Sequence, residues 1–284
     1  MRGKWLALLL AAILLVSVFT ACNGGTVVYI PHPVLVNDPV ATYQFGIAFQ
    51  RGNGTLRDQV WAALQVLSAD GTVGQIARRW FGEDPTIIPP NPDATAAFDE
   101  VRDRTLIIGF DASSAPMSFF DESNQLVGFD IDLARAVCAY YGWTLELLPI
   151  QWAEREMELA SGNVDALWGG VTLTDNIRQR LYHTPAYMEN PQVVVALSNA
   201  RIRNLRGMRG RSLAYSSGTV AELALLHNSS FSGRLSAHEP YDTLTLALEA
   251  LGYGEVDGVL MDLRAADYFV RTGDGMAFGG RLGD

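Results

Sequence analysis

Five apolar runs in this chain end in residues that could hold a small polar ligand. Asp111 directly follows the run at 106–110, and Trp152 follows the run at 144–150. Gly170 and Thr172 lie at the end of 164–171. Ser217, Thr219 and Val220 follow 212–216, and Asp262 closes 256–261. If the runs are strands, this is where ligands are met, because α/β sheets bind outside the carboxyl ends of their strands. The residue types suit such contacts. Carboxylates accept hydrogen bonds, a Trp face stacks or holds a cation, and a helix start presents free N–H groups to an anion. Each has a plain structural alternative: Asp111 as a turn residue or cap, Trp152 as core, Ser-Gly-Thr as an ordinary helix start, and Asp262 as N-cap of a helix from Leu263.

Covalent chemistry finds less support. Lys4 is the only lysine and lies in the leader described next, so Schiff-base and lysine-base mechanisms are excluded from a processed chain. Cys138 falls in IDLARAVCAYYG, where Leu133, Ala136, Val137 and Tyr140 recur at helical spacing. It reads as a buried, inert thiol. His32, His183, His227 and His238 show no metal-ligand spacing. No metal and no cofactor is expected.

The leader reading rests on Arg2 and Lys4, followed by an uncharged apolar run from Trp5 to Phe19. That run is short for a bilayer span, which needs about 20 residues, and has the length of a signal-peptide core. Cleavage after Ala21 would take away two cations and no acids, moving the formal net charge from −10 to −12. An acidic chain of this kind is not expected to bind nucleic acid. With Cys22 used elsewhere, Cys138 would have no disulfide partner.

Residues 23–40 carry Gly24, Gly25, Pro31, Pro33 and Pro39 and read as a tether, with one strand at Val27–Ile30. Phe45–Phe49 reads as a buried strand. Thr55 and Asp58 predict a capping box for a helix whose face is Val60, Leu64 and Leu67. Gly71 is placed as its C-cap, and a second helix at 72–81 stops at Gly82. The four prolines of 83–98 predict a stiff, extended linker. Strands then alternate with helices at about 130–141, 153–160, 175–182, 219–228, 242–251 and 263–271, which predicts α/β architecture with largely parallel sheets.

Taken together, these segments resemble the bacterial extracellular solute-binding proteins of the amino-acid type (family 3). LIIGFDASSAPMSFF with GFDIDL at 128–133 is similar to the family's opening strand, ligand loop and first helix, and GGVTLTDN to its strand and G-x-T-x-T loop. The stretch ATYQFGIAFQRGNGTLRDQVWAALQVLSADGTVGQIARRWFG, at 41–82, resembles the family's last strand and closing helices, yet stands near the start of this chain. The order end, start, middle implies a circularly permuted member; the rival is a truncated tandem array. The small residues before Cys22, with Asn23, Gly24 and Gly25 after it, resemble a lipobox, which implies lipidation of Cys22.

The resemblance implies a two-lobed periplasmic-binding-protein fold of type II. Lobe 1 would span 45–189, lobe 2 would span 190–284, and 22–44 would be tether and hinge-proximal segment. It implies a cleft in which Asp111, Trp152 and Gly170 (through its carbonyl) face the ligand. Thr172 would serve both the ammonium and the carboxylate, and Ser217, Thr219 and the Val220 N–H would hold the carboxylate. Asp262 would pair with the ammonium. Ser114 stands where many amino-acid binders place an aromatic. The family's arginine would align with Ile177, so Arg178, one step and about 100° further round a helix, either serves the carboxylate or the clamp is absent. The expected function is a lipid-anchored, extracytoplasmic, monomeric receptor for a polar amino acid or similar zwitterion, working with a membrane ABC permease and doing no covalent chemistry. The alternatives are an enzyme of the cyclohexadienyl or arogenate dehydratase kind, with Glu154 or Glu156 as its nearest acids, or a sensor or remnant binding module. A sensor reading is disfavoured by the lack of a membrane or signalling segment after Asp284.

Overall fold

The computed structural model describes residues 31–36, 38–98 and 103–272. The leader, Cys22 and the strand expected at Val27–Ile30 lie outside the described residues, as does everything after Thr272. Met1–Pro31 and His32–Asp284 form separate units, and the fold below is that of the second.

The chain opens with β1 (Pro33–Leu35), β2 (Ala41–Phe45), β3 (Ala48–Phe49), α1 (Gly54–Ala69) and α2 (Thr72–Phe81). Next come β4 (Thr105–Phe110), the short strands β5 (Ser113–Ser114), β6 (Ser118–Phe120) and β7 (Leu126–Val127), then α3 (Phe129–Tyr141) and β8 (Thr144–Pro149). They are followed by α4 (Arg155–Ser161), β9 (Ala166–Leu167), α5 (Asp175–Arg180) and β10 (Tyr182–His183). The last part holds β11 (Met188–Leu197), β12 (Ser212–Ser216), α6 (Val220–His227), α7 (Ser229–Ser232), β13 (Ala237–Tyr241), α8 (Leu244–Tyr253), β14 (Gly258–Asp262) and α9 (Leu263–Thr272).

Two sheets result. Lobe 1 has the order β10-β3-β9-β4-β8, with β4 parallel to β8 and β9. Lobe 2 has the order β1-β11-β14-β12-β13, with β12 parallel to β13 and β14. The hinge is an antiparallel ribbon in which Ala41 to Phe45 pair with Gln192 to Met188. The architecture is α/β in two lobes, as expected, but the sheets are mixed rather than largely parallel, since β11 runs antiparallel to β1, β2 and β14, and β3 to β9 and β10.

Each lobe owns its core. In lobe 1, Leu56, Val60, Leu64 and Leu67 of α1 and Val73, Ile76 and Ala77 of α2 share one cluster with Leu106 and Ile108 of β4 and Phe129, Leu133 and Val137 of α3. Trp61, Trp80 and Phe81 pack against it half-buried. The Trp80 indole N–H donates to Asp132 Oδ2 at 2.8 Å, and Phe81 meets Phe129 at a ring separation of 4.8 Å. Residues 41–82 therefore belong physically to the structure built by 103–272. Burying each large aliphatic side chain contributes about 1.5–3 kcal/mol, so a single truncation such as Leu64→Ala would cost about 2–5 kcal/mol.

Several local expectations are corrected. No capping box forms at Thr55–Asp58: α1 begins at Gly54, its preceding residue Asn53 makes no side-chain cap, and Asp58 pairs with Arg57 at 2.7 Å instead. The strand expected at Phe45–Phe49 is split by Gly46, where a Cβ would lie 2.6 Å from Leu173. The 83–98 segment is no free spacer. Thr86 bridges Met188, Ile88 is buried, and Ala94–Ala97 form a 3₁₀ turn. The run at 164–171 keeps only Ala166–Leu167 as strand, because Gly169 and Gly170 turn the chain away.

Candidate ligand-binding site

Strand register gathers the polar groups at the junction of the lobes. Thr172 forms an antiparallel bridge with Phe45, which pairs with Met188. Two and four residues further along β11 come Asn190 and Gln192, and Gln192 pairs with Asp262. Side chains alternate with period two along a strand, so Thr172, Asn190, Gln192 and Asp262 share one face of the hinge.

They are joined by hydrogen bonds. Asn190 Nδ2 donates to Thr172 Oγ1 at 3.2 Å, and Gln192 Nε2 donates to Asn190 Oδ1 at 3.2 Å and to Asp262 Oδ1. Asn190 and Gln192 are fully buried, and Gln192 Oε1 has no partner among the described residues. Asp262 keeps a small accessible edge. The protein around its carboxyl nevertheless raises its pKa by desolvation, partly opposed by the amides of Gln192 and Asn190. Asn190 and Gln192 were not singled out from the sequence. Their signal was available: two amides at alternate positions just ahead of an otherwise apolar strand.

A second network holds the turn at Gly169–Gly170 from beneath. Asp130 is fully buried, and its Oδ2 accepts from Gly170 N at 2.7 Å and from Tyr187 Oη at 2.9 Å. Desolvation pushes its pKa up to about 7, against the lowering effect of these bonds. The GFDIDL segment thus does more than start α3. Gly128 has φ +143°, and a Cβ there would lie 2.2 Å from Met117 O, so the close loop approach requires glycine. Gly170 itself has φ +72°, and a Cβ on it would lie 2.8 Å from Ser114 Oγ. Ser114 and Gly170 are therefore neighbours.

Asp111 and Trp152 line a common recess of roughly 600 Å³ with Ser113 and Gln151. Asp111 Oδ1 accepts from the backbone N and hydroxyl of Ser113 at 2.9 and 2.7 Å, so the carboxylate also fastens its own turn. One side of Trp152 is covered by Arg155, whose guanidinium lies 5.1 Å from the ring centre, while its indole packs on the cluster of Leu159, Leu173 and Ile177. Glu156 pairs with Arg180 at 3.0 Å, and Glu154 is exposed.

The displaced arginine has a definite position. Thr174 caps α5 by accepting from Ile177 N, and the Ile177 side chain is buried. Arg178 Nε donates to Leu173 O at 3.0 Å, and its Nη2 donates to Gln44 Oε1 at 2.9 Å. Gln44 is one residue from Phe45, so alternation directs it away from the Thr172–Asp262 face. In lobe 2, Ser217 N donates to Tyr241 O at 2.9 Å and Thr219 Oγ1 to Ser216 O at 2.6 Å. Val220 is the first residue of α6, and Glu222 Oε2 accepts from Gly218 N at 2.9 Å, which places a carboxylate of the chain itself at this helix start. Among the described residues no group of His, Cys, Asp and Glu could hold a metal ion, and no helix is long and apolar enough to cross a membrane. Cys138 is buried, which pushes its thiol up to about 11.

Comparison with known proteins follows the same outline. The chain is 26% identical over 186 residues to the L-cystine-binding protein TcyJ of Escherichia coli, covering 64% of this chain and 68% of that one. Among solved structures it is similar to an ABC uptake transporter substrate-binding protein from Streptococcus pneumoniae with bound histidine. There the identity is 32% and the TM-score 0.55, over 59% of this chain and 69% of the other. It is also similar to AncCDT-1, an ancestral amino-acid-binding protein and precursor of cyclohexadienyl dehydratase. That match has 26% identity and a TM-score of 0.53, over 59% of this chain and 74% of the other. The sequence profile of one family matches residues 106–275, more than half of the chain, and on that match the chain belongs to the bacterial extracellular solute-binding proteins, family 3.

Proposed function

We propose that this protein is the extracytoplasmic receptor of an ABC importer and binds a polar amino acid or similar zwitterion between its lobes. The observation that carries the reading is Asp262. It is a desolvated carboxylate at a strand end, tied through Gln192 and Asn190 to Thr172 of the opposite lobe. A ligand ammonium would donate to Asp262 and to the unpartnered Gln192 Oε1, and its charge would lower the raised Asp262 pKa. Thr172 would offer hydroxyl and backbone N–H, and the Gly170 carbonyl would complete the cation end. The Val220 N–H, Ser217 and Thr219 offer a carboxylate site, but Glu222 already supplies negative charge there. Arg178 would reach a carboxylate only by leaving Gln44. Asp111 and Trp152, with Ser114 nearby, would flank the ligand side chain. The names of the cystine-binding relative and of the histidine-bound structure support an amino acid as ligand class.

The deciding experiment is calorimetry with the common amino acids on purified protein. One of them should bind and raise the melting temperature, since ligand at 100 times Kd adds about 2.7 kcal/mol. No binding across the set would sink the reading. A dehydratase is the second reading, favoured only by the likeness to AncCDT-1. Conversion of arogenate to phenylalanine would establish it.

Two finer points belong to the same proposal. Cys22 carries a lipid anchor, so Cys22→Ala should move the protein from the membrane to the soluble exported fraction. The chain is also a circular permutant that works as a monomer, with lobe 1 at 45–189 and lobe 2 at 190–284. Packing of 41–82 into the lobe 1 core, and a family match that starts only at residue 106, support it. A rearranged chain with 41–82 placed after 284 should bind the same ligand. A wild-type dimer that exchanges 41–82 would overturn the permutation.

A further inference from the structure

We propose that the end of lobe 2 remote from the cleft is a docking surface for anionic phospholipid headgroups. Charge is segregated there. The chain has a formal net charge of −10, yet no acid occurs between Glu189 and Glu222, an interval that contains Arg201, Arg203, Arg206, Arg209 and Arg211. Arg211 is paired with Asp257 at 2.7 Å. The other four, and Arg234, are exposed and pair with no acid among the described residues.

The fold brings them together. Buried Ile202 lies against Gly207, 3.4 Å from where a Cβ would stand, which fixes Arg201 and Arg203 beside the Leu205–Met208 turn. Gly210 N donates to Arg234 O at 2.8 Å, and Ser236 N to Arg211 O at 2.9 Å, which joins the turn after α7 to the same edge. This edge lies where β11 ends at Leu197 and β12 begins at Ser212. The cleft lies at the other ends of those strands, at Gln192 and Ser216.

The route of the chain gives the partner. Pro33 pairs with Leu197, and His32 N donates to Ser198 Oγ at 3.1 Å, so the chain enters lobe 2 at the basic edge. Cys22 stands ten residues ahead of His32, and ten residues span at most about 36 Å. Beside the entry is a recess of roughly 260 Å³ lined by Val34, Leu35, Ser198, Arg201, Ile202 and Arg203, with apolar groups and two guanidinium groups. Guanidinium binds phosphate bidentately. Five exposed cations spread over one edge suit an array of phosphates better than a single ion, and each basic residue at an anionic surface strengthens binding about fivefold.

The surface needs neither a lipid on Cys22 nor a ligand in the cleft, so it can be tested without either. Residues 32–284, a separate compact unit, are sedimented with phosphatidylcholine vesicles with and without phosphatidylglycerol. Binding should require phosphatidylglycerol and be abolished in about 1 M salt, where charges are screened beyond about 3 Å. It should fall about 25-fold in R201Q/R203Q, and to the phosphatidylcholine level when Arg206→Gln, Arg209→Gln and Arg234→Gln are added. R57Q should bind like the parent, and melting curves should show every variant folded. The double variant carries the test if the fivefold variant does not fold. Equal sedimentation with both vesicles, or an unaffected double variant, would overturn the proposal. Displacement by inorganic phosphate at matched ionic strength would assign a small-ion site instead. Self-association lost in the same variants would assign the edge to the acidic face of a second copy.

Discussion

The two lobes prepare their parts of the cleft by opposite means. Lobe 1 presents backbone, and the buried Asp130 holds that backbone from below through Gly170 and Tyr187. Lobe 2 presents a carboxylate, Asp262, oriented by the side-chain amide of Gln192 on β11, the strand that also pairs with Ala41–Phe45 in the hinge. Changes under lobe 1 should therefore be felt first as stability, and changes at the lobe 2 acid first as affinity.

The largest affinity effect is expected at Asp262. A charge-assisted hydrogen bond contributes roughly 1.5–3 kcal/mol, so Asp262→Ala should weaken amino-acid binding at least tenfold while leaving the melting temperature nearly unchanged. Unchanged affinity in calorimetry would make Asp262 a cap of α9 only. Asp130→Ala should show the reverse balance. It strands the Gly170 N–H and the Tyr187 hydroxyl, at about 1–3 kcal/mol each, and should lower Tm by on the order of 10 °C for a chain of this size. A thermal melt that matches wild type would show that the network beneath the loop is dispensable.

Asp130 also predicts a pH effect of defined sign. Its folded pKa of about 7 lies above its ordinary 3.8, so between these values the folded form holds a proton that the unfolded form releases. This group's contribution to stability is therefore greatest below pH 3.8, falls as pH rises through that window and is flat above it. Denaturant melts of Asp130→Asn should lack that component. An identical slope in the two proteins would place the titration elsewhere. The smallest effect is expected from Arg178→Ala, at less than about threefold in affinity, since its hydrogen bonds in this structure, of about 0.5–1.5 kcal/mol each, go to Leu173 O and Gln44 Oε1 and not to the Thr172–Asp262 face. A loss above tenfold would mean that Arg178 leaves Gln44 when ligand enters, and the carboxylate clamp would be restored.

Much of the fold was legible because the lobes are regular. Period-3.6 patterns placed α2 at 72–81 and put α3 within one residue of its observed start, and alternation of runs and helices placed β4, β8 and β12. The local signals that misled were those where tertiary contacts win. Thr55 and Asp58 have capping chemistry, but the helix starts earlier. Gly46 breaks a strand because Leu173 needs the space. Of the site, the strand-end residues were visible individually. The row through Asn190 and Gln192 was not, because residue types along one strand do not set its register against the next. In the fold Pro191 pairs opposite Thr42 inside the ribbon, and only the register shows that Thr172 and Asp262 face the same way.

The ribbon of Ala41–Phe45 and Met188–Gln192 has a mechanical consequence. Two strands laced side by side resist sliding past each other and resist stretching, but yield readily to torsion about their common length. Lobe motion is thereby reduced to little more than one angular coordinate. Asn190 and Gln192 sit on that torsion bar and also grip Thr172 and Asp262, while α9 touches lobe 1 beside the bar, where Arg264 pairs with Glu83 at 3.0 Å and Arg271 Nη2 donates to Trp80 O at 2.8 Å. A softer bar, as from Gly at 191, should open the angle distribution seen by scattering and loosen the grip in the same step, with no residue that would touch ligand altered.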